Sequence, residues 1–166
     1  MTLQRDPKDI YRVMGLMADL EMKVSEFYRE CADRWPQDKE FWSSLEKDEI
    51  SHSGSLRKMA DILLARPEHF EAHRPYNPAS ISLALAGVQN HLQKLKQGQI
   101  HAGNILFVAR DVEQSLLETR PGEVLKTDDG ECTAVLRQIT SQTQAHKSRL
   151  QKRIEDLKKD QSRTRG

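Results

Sequence analysis

At 166 residues, with 37% hydrophobic and 31% charged side chains, the chain has material for one compact core and no need of a second. A formal net charge of +1 creates no global field that would recommend a nucleic acid or an anionic membrane as partner, and no apolar run reaches membrane-spanning length. Sparse aromatics and few β-branched runs point instead to an all-α protein of amphipathic helices, one domain over residues 1–166.

The opening MTLQRDPKD lacks the apolar stretch of a signal peptide, so a cytoplasmic location is expected. Asp6 before Pro7 marks a helix start, an N-cap followed by a first-turn proline. That helix is predicted to run to about Trp35, where Pro36 breaks it, and a second from about Asp38 to Leu64. Ala65 to Pro78 holds three prolines and reads as a crossover without firm helix. A shorter helix is predicted over Ala79 to Gln97, ended by Gly98, and another over His101 to Thr119, stopped at Pro121-Gly122. Asp128 with Glu131 resembles a capping box opening a last helix to about Lys159. The basic end, 158–166, reads as a frayed and solvated helix terminus. Two helical hairpins joined by a long crossover containing a short extra helix are a known way to connect a four-helix bundle.

Taken at bundle-seam spacing, the first helix offers Ile10, Met14, Met17, Glu21, Val24, Tyr28 and Cys31. The second offers Trp42, Leu45, Glu49, His52, Leu56, Met59 and Leu63. The 101–119 helix offers Ala102, Leu106, Ala109, Glu113 and Leu116, and the last Cys132, Leu136, Ile139, Thr143, His146, Leu150 and Leu157. Each seam is apolar except at one level, which carries Glu21, then Glu49 with His52, then Glu113, then Thr143 with His146. An unpaired buried carboxylate costs several kcal/mol even after relaxation, so residues of this kind on a seam require a compensating cation, which a bound metal supplies. Glu21 and the Glu49/His52 pair lie equally far from the Trp35-Pro36 turn, as antiparallel helices sharing one level require. For Glu113 and Thr143/His146 the midpoint falls beside Asp128-Asp129-Gly130, a looser match. Glu49-Ile50-Ser51-His52 is an E-x-x-H pair that sets two ligands on one face, a turn apart.

The strings LEMKVSEFYRECA and FWSSLEKDEISH resemble the first two bundle helices of rubrerythrin-like, ferritin-like di-iron proteins, with Glu seven residues before Tyr and then Leu-x-x-[acidic]-Glu-x-x-His. ILFVARDVEQSLLE and ITSQTQAHKSRL are similar to the third and fourth bundle helices of that family. The resemblance implies a ferritin-like four-helix bundle in which Glu21 and Glu113 are single-helix carboxylate ligands, Glu49 a bridge, and His52 and His146 imidazole ligands. Thr143 departs from it, standing where the second E-x-x-H motif should have Glu; a hydroxyl is a poor ligand for iron(II) beside carboxylates and imidazoles. Iron, as one or two ions, is the implied cofactor, with zinc or manganese also suited to such a donor set. Full rubrerythrins add a cysteine-ligated iron domain that delivers electrons; this sequence shows none, so turnover would draw on an external electron donor.

Three functions remain open at this point: a di-iron oxidoreductase that reduces peroxide or oxidises Fe(II), an iron buffer or sensor without turnover, and a helical interaction protein with a metal-free hydrogen-bonded vestige. Tyr28 reads either as a hydrogen-bond partner of a ligand or as an interface tyrosine. His69 and His73 are spaced i, i+4 but read as solvated loop residues, His91 and His101 carry no site argument, and Glu118 points off the Glu113 seam. Cys31 and Cys132 read as buried free thiols, and the lack of any C-x-x-C pair excludes a thiolate-bound metal centre. A homodimer is possible, with the 79–97 helix as its candidate surface.

Overall fold

The computed structural model describes residues 6–72, 78–119 and 125–165. Helix α1 spans Pro7–Arg34; the Asp6 side chain accepts from the Lys8 backbone N–H at 3.0 Å, and Pro7 occupies the first turn, where its missing donor costs nothing. Pro36 then forces a 3₁₀ turn over Pro36–Asp38, and α2 follows as Lys39–Ala65. Helix α3 is Ala79–Lys96, released at Gly98, whose φ of 70° a residue with a Cβ adopts only under strain. Helix α4 is Ile105–Glu118 and α5, the longest at 35 residues, is Gly130–Thr164.

Cross-links show how the helices run. Ser53 Oγ donates to the Ala18 carbonyl and Arg29 pairs with Glu46, so α1 and α2 are antiparallel. Arg110 reaches Gln151 while Lys147 reaches Gln114, which sets α4 antiparallel to α5. Lys58 to Glu131 and Arg153 to Asp38 do the same for α2 and α5. Helix α3 lays Ile81, Val88 and Leu95 into the central core along α1. This core takes residues from each of the five described helices, including Val24, Phe27, Leu45, Leu56, Ala109, Ile139 and Leu150. A second apolar cluster, built on Ile10, Met14, Met59, Leu63, Phe70, Leu125, Cys132 and Leu136, closes one end.

The expected helix ends hold in part. Residues His101–Asn104 form turns rather than the first turn of α4, and Ala102 is exposed; Gly103 disfavours helix there. The cap of α5 is Asp129, which accepts from Cys132 N–H, and not Asp128. Helix α5 continues past Lys159 to Thr164, with Ile154 as its last buried residue and Leu157 46% exposed. The Arg153–Asp38 pair marks the start of α2, so beyond it α5 overshoots that neighbour. The crossover is more ordered than its prolines imply: a 3₁₀ turn at Pro67–His69 leads into strand β1, Phe70–Ala72, which pairs antiparallel with β2, Leu125–Thr127. Among the described residues, no helix is long and apolar enough to cross a membrane.

Candidate metal centre

The polar level lies midway along the buried faces of α1, α2, α4 and α5. Glu21 is 5% exposed, His52, Thr143 and His146 2% each, and Glu49 and Glu113 not at all. On α2 the i, i+3 spacing turns Glu49 and His52 to one side, and His52 Nδ1 stands 3.0 Å from Glu49 Oε2 and 4.0 Å from Glu21 Oε2. From α5, His146 Nδ1 lies 2.9 Å from Glu49 Oε1 and 3.5 Å from Glu113 Oε1. The five groups form two triads, Glu21/Glu49/His52 and Glu49/Glu113/His146, each with one ligand atom per residue and all three atoms within 4.8 Å of one another. Glu49 belongs to both.

Such a cluster cannot carry all its charge unaided. Burial and then the Glu49 charge hold the Glu21 carboxyl well above the usual carboxylate range. Burial and Glu49 likewise push Glu113 up to about 7. For Glu49 burial pulls upward, but His146 and His52 outweigh it and bring the group down to about 2. Burial opposes protonation of His146, yet Glu113 and Glu49 raise it to about 10. The proton on His146 and the charge of Glu49 therefore offset each other at neutral pH, while burial shifts Glu21 toward its neutral form. They do so with poor hydrogen bonding: Glu21 Oε2, Glu49 Oε1, Glu113 Oε2 and His146 Nδ1 are buried with no hydrogen-bond partner among the described residues. Glu49 Oε1 and His146 Nδ1 are at ion-pair distance without hydrogen-bond alignment. Unpartnered oxygen and nitrogen atoms of this kind fit a shared cation. The donor set, carboxylate with imidazole, suits iron, zinc or manganese.

The neighbours of these groups are equally specific. Tyr28 Oη donates to Glu113 Oε1, and its ring stacks on Trp42 with centroids 5.9 Å apart. Of the two roles open to Tyr28, the one as partner of a ligand candidate is therefore the one seen. Thr143 donates its hydroxyl to the Ile139 carbonyl at 2.8 Å, so the side chain is spent on its own helix. Asp48 Oδ2 lies 2.9 Å from His146 Nε2, and Gln142 Oε1 lies 2.7 Å from His52 Nε2.

Asp48 is visible in the sequence only as the acidic slot before Glu49, and Gln142 not at all. Both sit one residue before a seam position, outside the heptad pattern. Searching the residues that flank each seam ligand for acceptors would have found them.

No family model, curated protein or solved structure matches this chain.

The other candidates lie elsewhere. His69, in the turn before β1, pairs through Nδ1 with Asp128 at 2.7 Å, and His73 lies outside the described residues. His91 faces a groove of about 290 Å³ between α3 and α4; burial and then Lys94 lower its basicity. His101 is exposed, as is Glu118, which accepts from Gln114. Both cysteines are buried and free; burial pushes the Cys31 thiol upward and Cys132 to about 12.

Proposed function

We propose that the chain is a rubrerythrin-like protein on a ferritin-like four-helix bundle, with α1–α2 and α4–α5 as its hairpins and α3 as the extra helix. Its buried Glu/His level binds iron, as one or two ions, and it is a non-haem di-iron oxidoreductase for peroxide reduction or Fe(II) oxidation. The supporting observation is the pair of triads joined at Glu49, with four ligand-type atoms buried and unpartnered. Glu21 and His52 would serve one position, Glu113 and His146 the other, and Glu49 both. Iron there would supply electron transfer to oxygen or peroxide, drawn from an external donor.

The chain's own residues set the conditions for that chemistry. The apolar levels above and below exclude water, which strengthens each charge interaction in the cluster. Tyr28 fixes the rotamer of Glu113, and Trp42 packs behind Tyr28. His146 holds a proton that must leave when a cation enters, and burial favours the neutral form of Glu21, so binding is tied to proton release.

A second reading, iron buffering or sensing without turnover, is favoured by Thr143. Three carboxylates against one divalent ion leave one negative charge; against two they leave one positive charge, which a fourth carboxylate would have cancelled. Elemental analysis of the purified chain separates the readings. Two irons per chain with peroxide- or oxygen-dependent absorbance changes support the oxidoreductase, and one redox-silent metal supports the buffer. Glu49→Ala, which takes a ligand from both triads, is expected to abolish binding. Retention of full metal content by that variant would remove the basis of either reading.

A further inference from the structure

The two halves of the cluster are built alike and finished differently. Asp48 precedes Glu49 on α2, and Gln142 precedes Thr143 on α5. Because these helices are antiparallel, each of the two reaches the histidine of the other helix: Asp48 the outer nitrogen of His146, at 2.9 Å, and Gln142 the outer nitrogen of His52, at 2.7 Å. In both rings it is Nδ1 that faces the carboxylates.

The difference lies in what a carboxylate and an amide can do. A carboxylate only accepts, so Asp48 holds the hydrogen on Nε2 of His146, and the proton that leaves when an ion enters comes from Nδ1, whose lone pair then faces inward. A carboxylate behind a ligating imidazole also raises its donor strength. An amide offers either end. With Oε1 toward the ring, Gln142 accepts from Nε2–H and His52 has its Nδ1 lone pair free. With the amide turned over, its N–H donates to Nε2 and the ring hydrogen moves to Nδ1, against Glu49. Gln142 is half-buried and so has room to turn. It also contributes no charge.

Resting on the metal-binding reading above, we infer that Asp48 fixes the imidazole of the Glu49/Glu113/His146 position to present Nδ1 to a divalent ion and that the Glu21/Glu49/His52 position is conditional, with Asp48 and Gln142 as the positioning residues that set the order. The first ion enters at His146. Tyr28 does not prevent this, since it occupies Glu113 Oε1 and leaves Oε2 without a partner. The second ion meets a cluster whose charge the first has largely offset, which widens the gap between the two steps.

The test is a calorimetric titration of the metal-free full chain with Co(II), followed in parallel by NMR of the histidine rings. Wild type is expected to bind in two unequal steps, or in one, with the paramagnetic shift at one equivalent on His146. Asp48→Asn is expected to weaken the first step by about 10- to 100-fold. Gln142→Glu is expected to leave the first step in place and strengthen the second by a similar factor. Should Asp48→Asn fail to fold, by circular dichroism, Gln142→Glu and the wild-type shift carry the test alone. A first shift on His52, equal steps in wild type, or variants that titrate like wild type would overturn the order while leaving the metal site standing. A wild-type chain that binds no Co(II) would sink the metal-binding reading and this inference together.

Discussion

The Glu/His level and the apolar end beneath it are both buried and share α1, α2 and α5, yet they affect stability in opposite ways. At the apolar end Met14, Met59, Leu63 and Cys132 gain from leaving water, each contact adding to the next. At the polar level Glu21, Glu49, Glu113, His52 and His146 lose hydration and recover only part of it, as the four unpartnered atoms show. The difference implies that the apolar levels carry the polar one, and that without a cation the polar level is a cost.

The largest expected effect is on pH dependence. His146 is raised from 6.5 to about 10 and Glu113 from 4.5 to about 7, so both favour the fold below their unfolded values and lose that contribution as pH rises through the folded ones. Glu49, lowered to about 2, contributes above pH 4.5 and is lost as pH falls toward 2. Metal-free protein should therefore be most stable in mildly acidic solution and weaken toward pH 10. Added metal competes with the protons and should move the optimum to the alkaline side, which thermal melts with and without chelator measure directly. Identical profiles in the two conditions would erase the contrast between the levels.

Leu63→Ala, at the apolar end, should cost about 2–5 kcal/mol in urea unfolding, with or without metal. Thr143→Glu should act with opposite signs. It adds a fourth buried carboxylate and should destabilise the metal-free chain by about 1–3 kcal/mol, yet raise the iron bound per chain. If that variant binds no more iron than wild type, position 143 does not face the ligand set. The smallest effect is expected from Tyr28→Phe, about 1 kcal/mol for one lost hydrogen bond, with Glu113 freed to shift its own titration in an NMR experiment.

Much of this contrast was legible in the sequence because a seam is a local pattern. Heptad spacing exposes Glu21, Glu49, His52, Glu113 and His146 as polar residues where apolar ones belong, and Pro36 fixes the level that the first three share. What spacing cannot reveal is contact between segments far apart in the chain. The pairing of Phe70–Ala72 with Leu125–Thr127 has no local signature in three residues on either side. Nor do Asp48 and Gln142, whose roles arise only once α2 and α5 lie antiparallel. The overshoot of α5 was hidden for the same reason: Leu157 keeps the seam spacing, but α2 has not yet begun at its level.

The short ribbon has a bearing on how the molecule assembles. A two-stranded sheet of three residues per strand has little stability of its own, and it joins the segment after α2 to the segment before α5. Closing that long loop becomes favourable only after the helices around it have met. The ribbon is thus expected to form late in folding and to open early. Amide exchange at residues 70–72 and 125–127 would report the parting of these two segments before any helix unwinds.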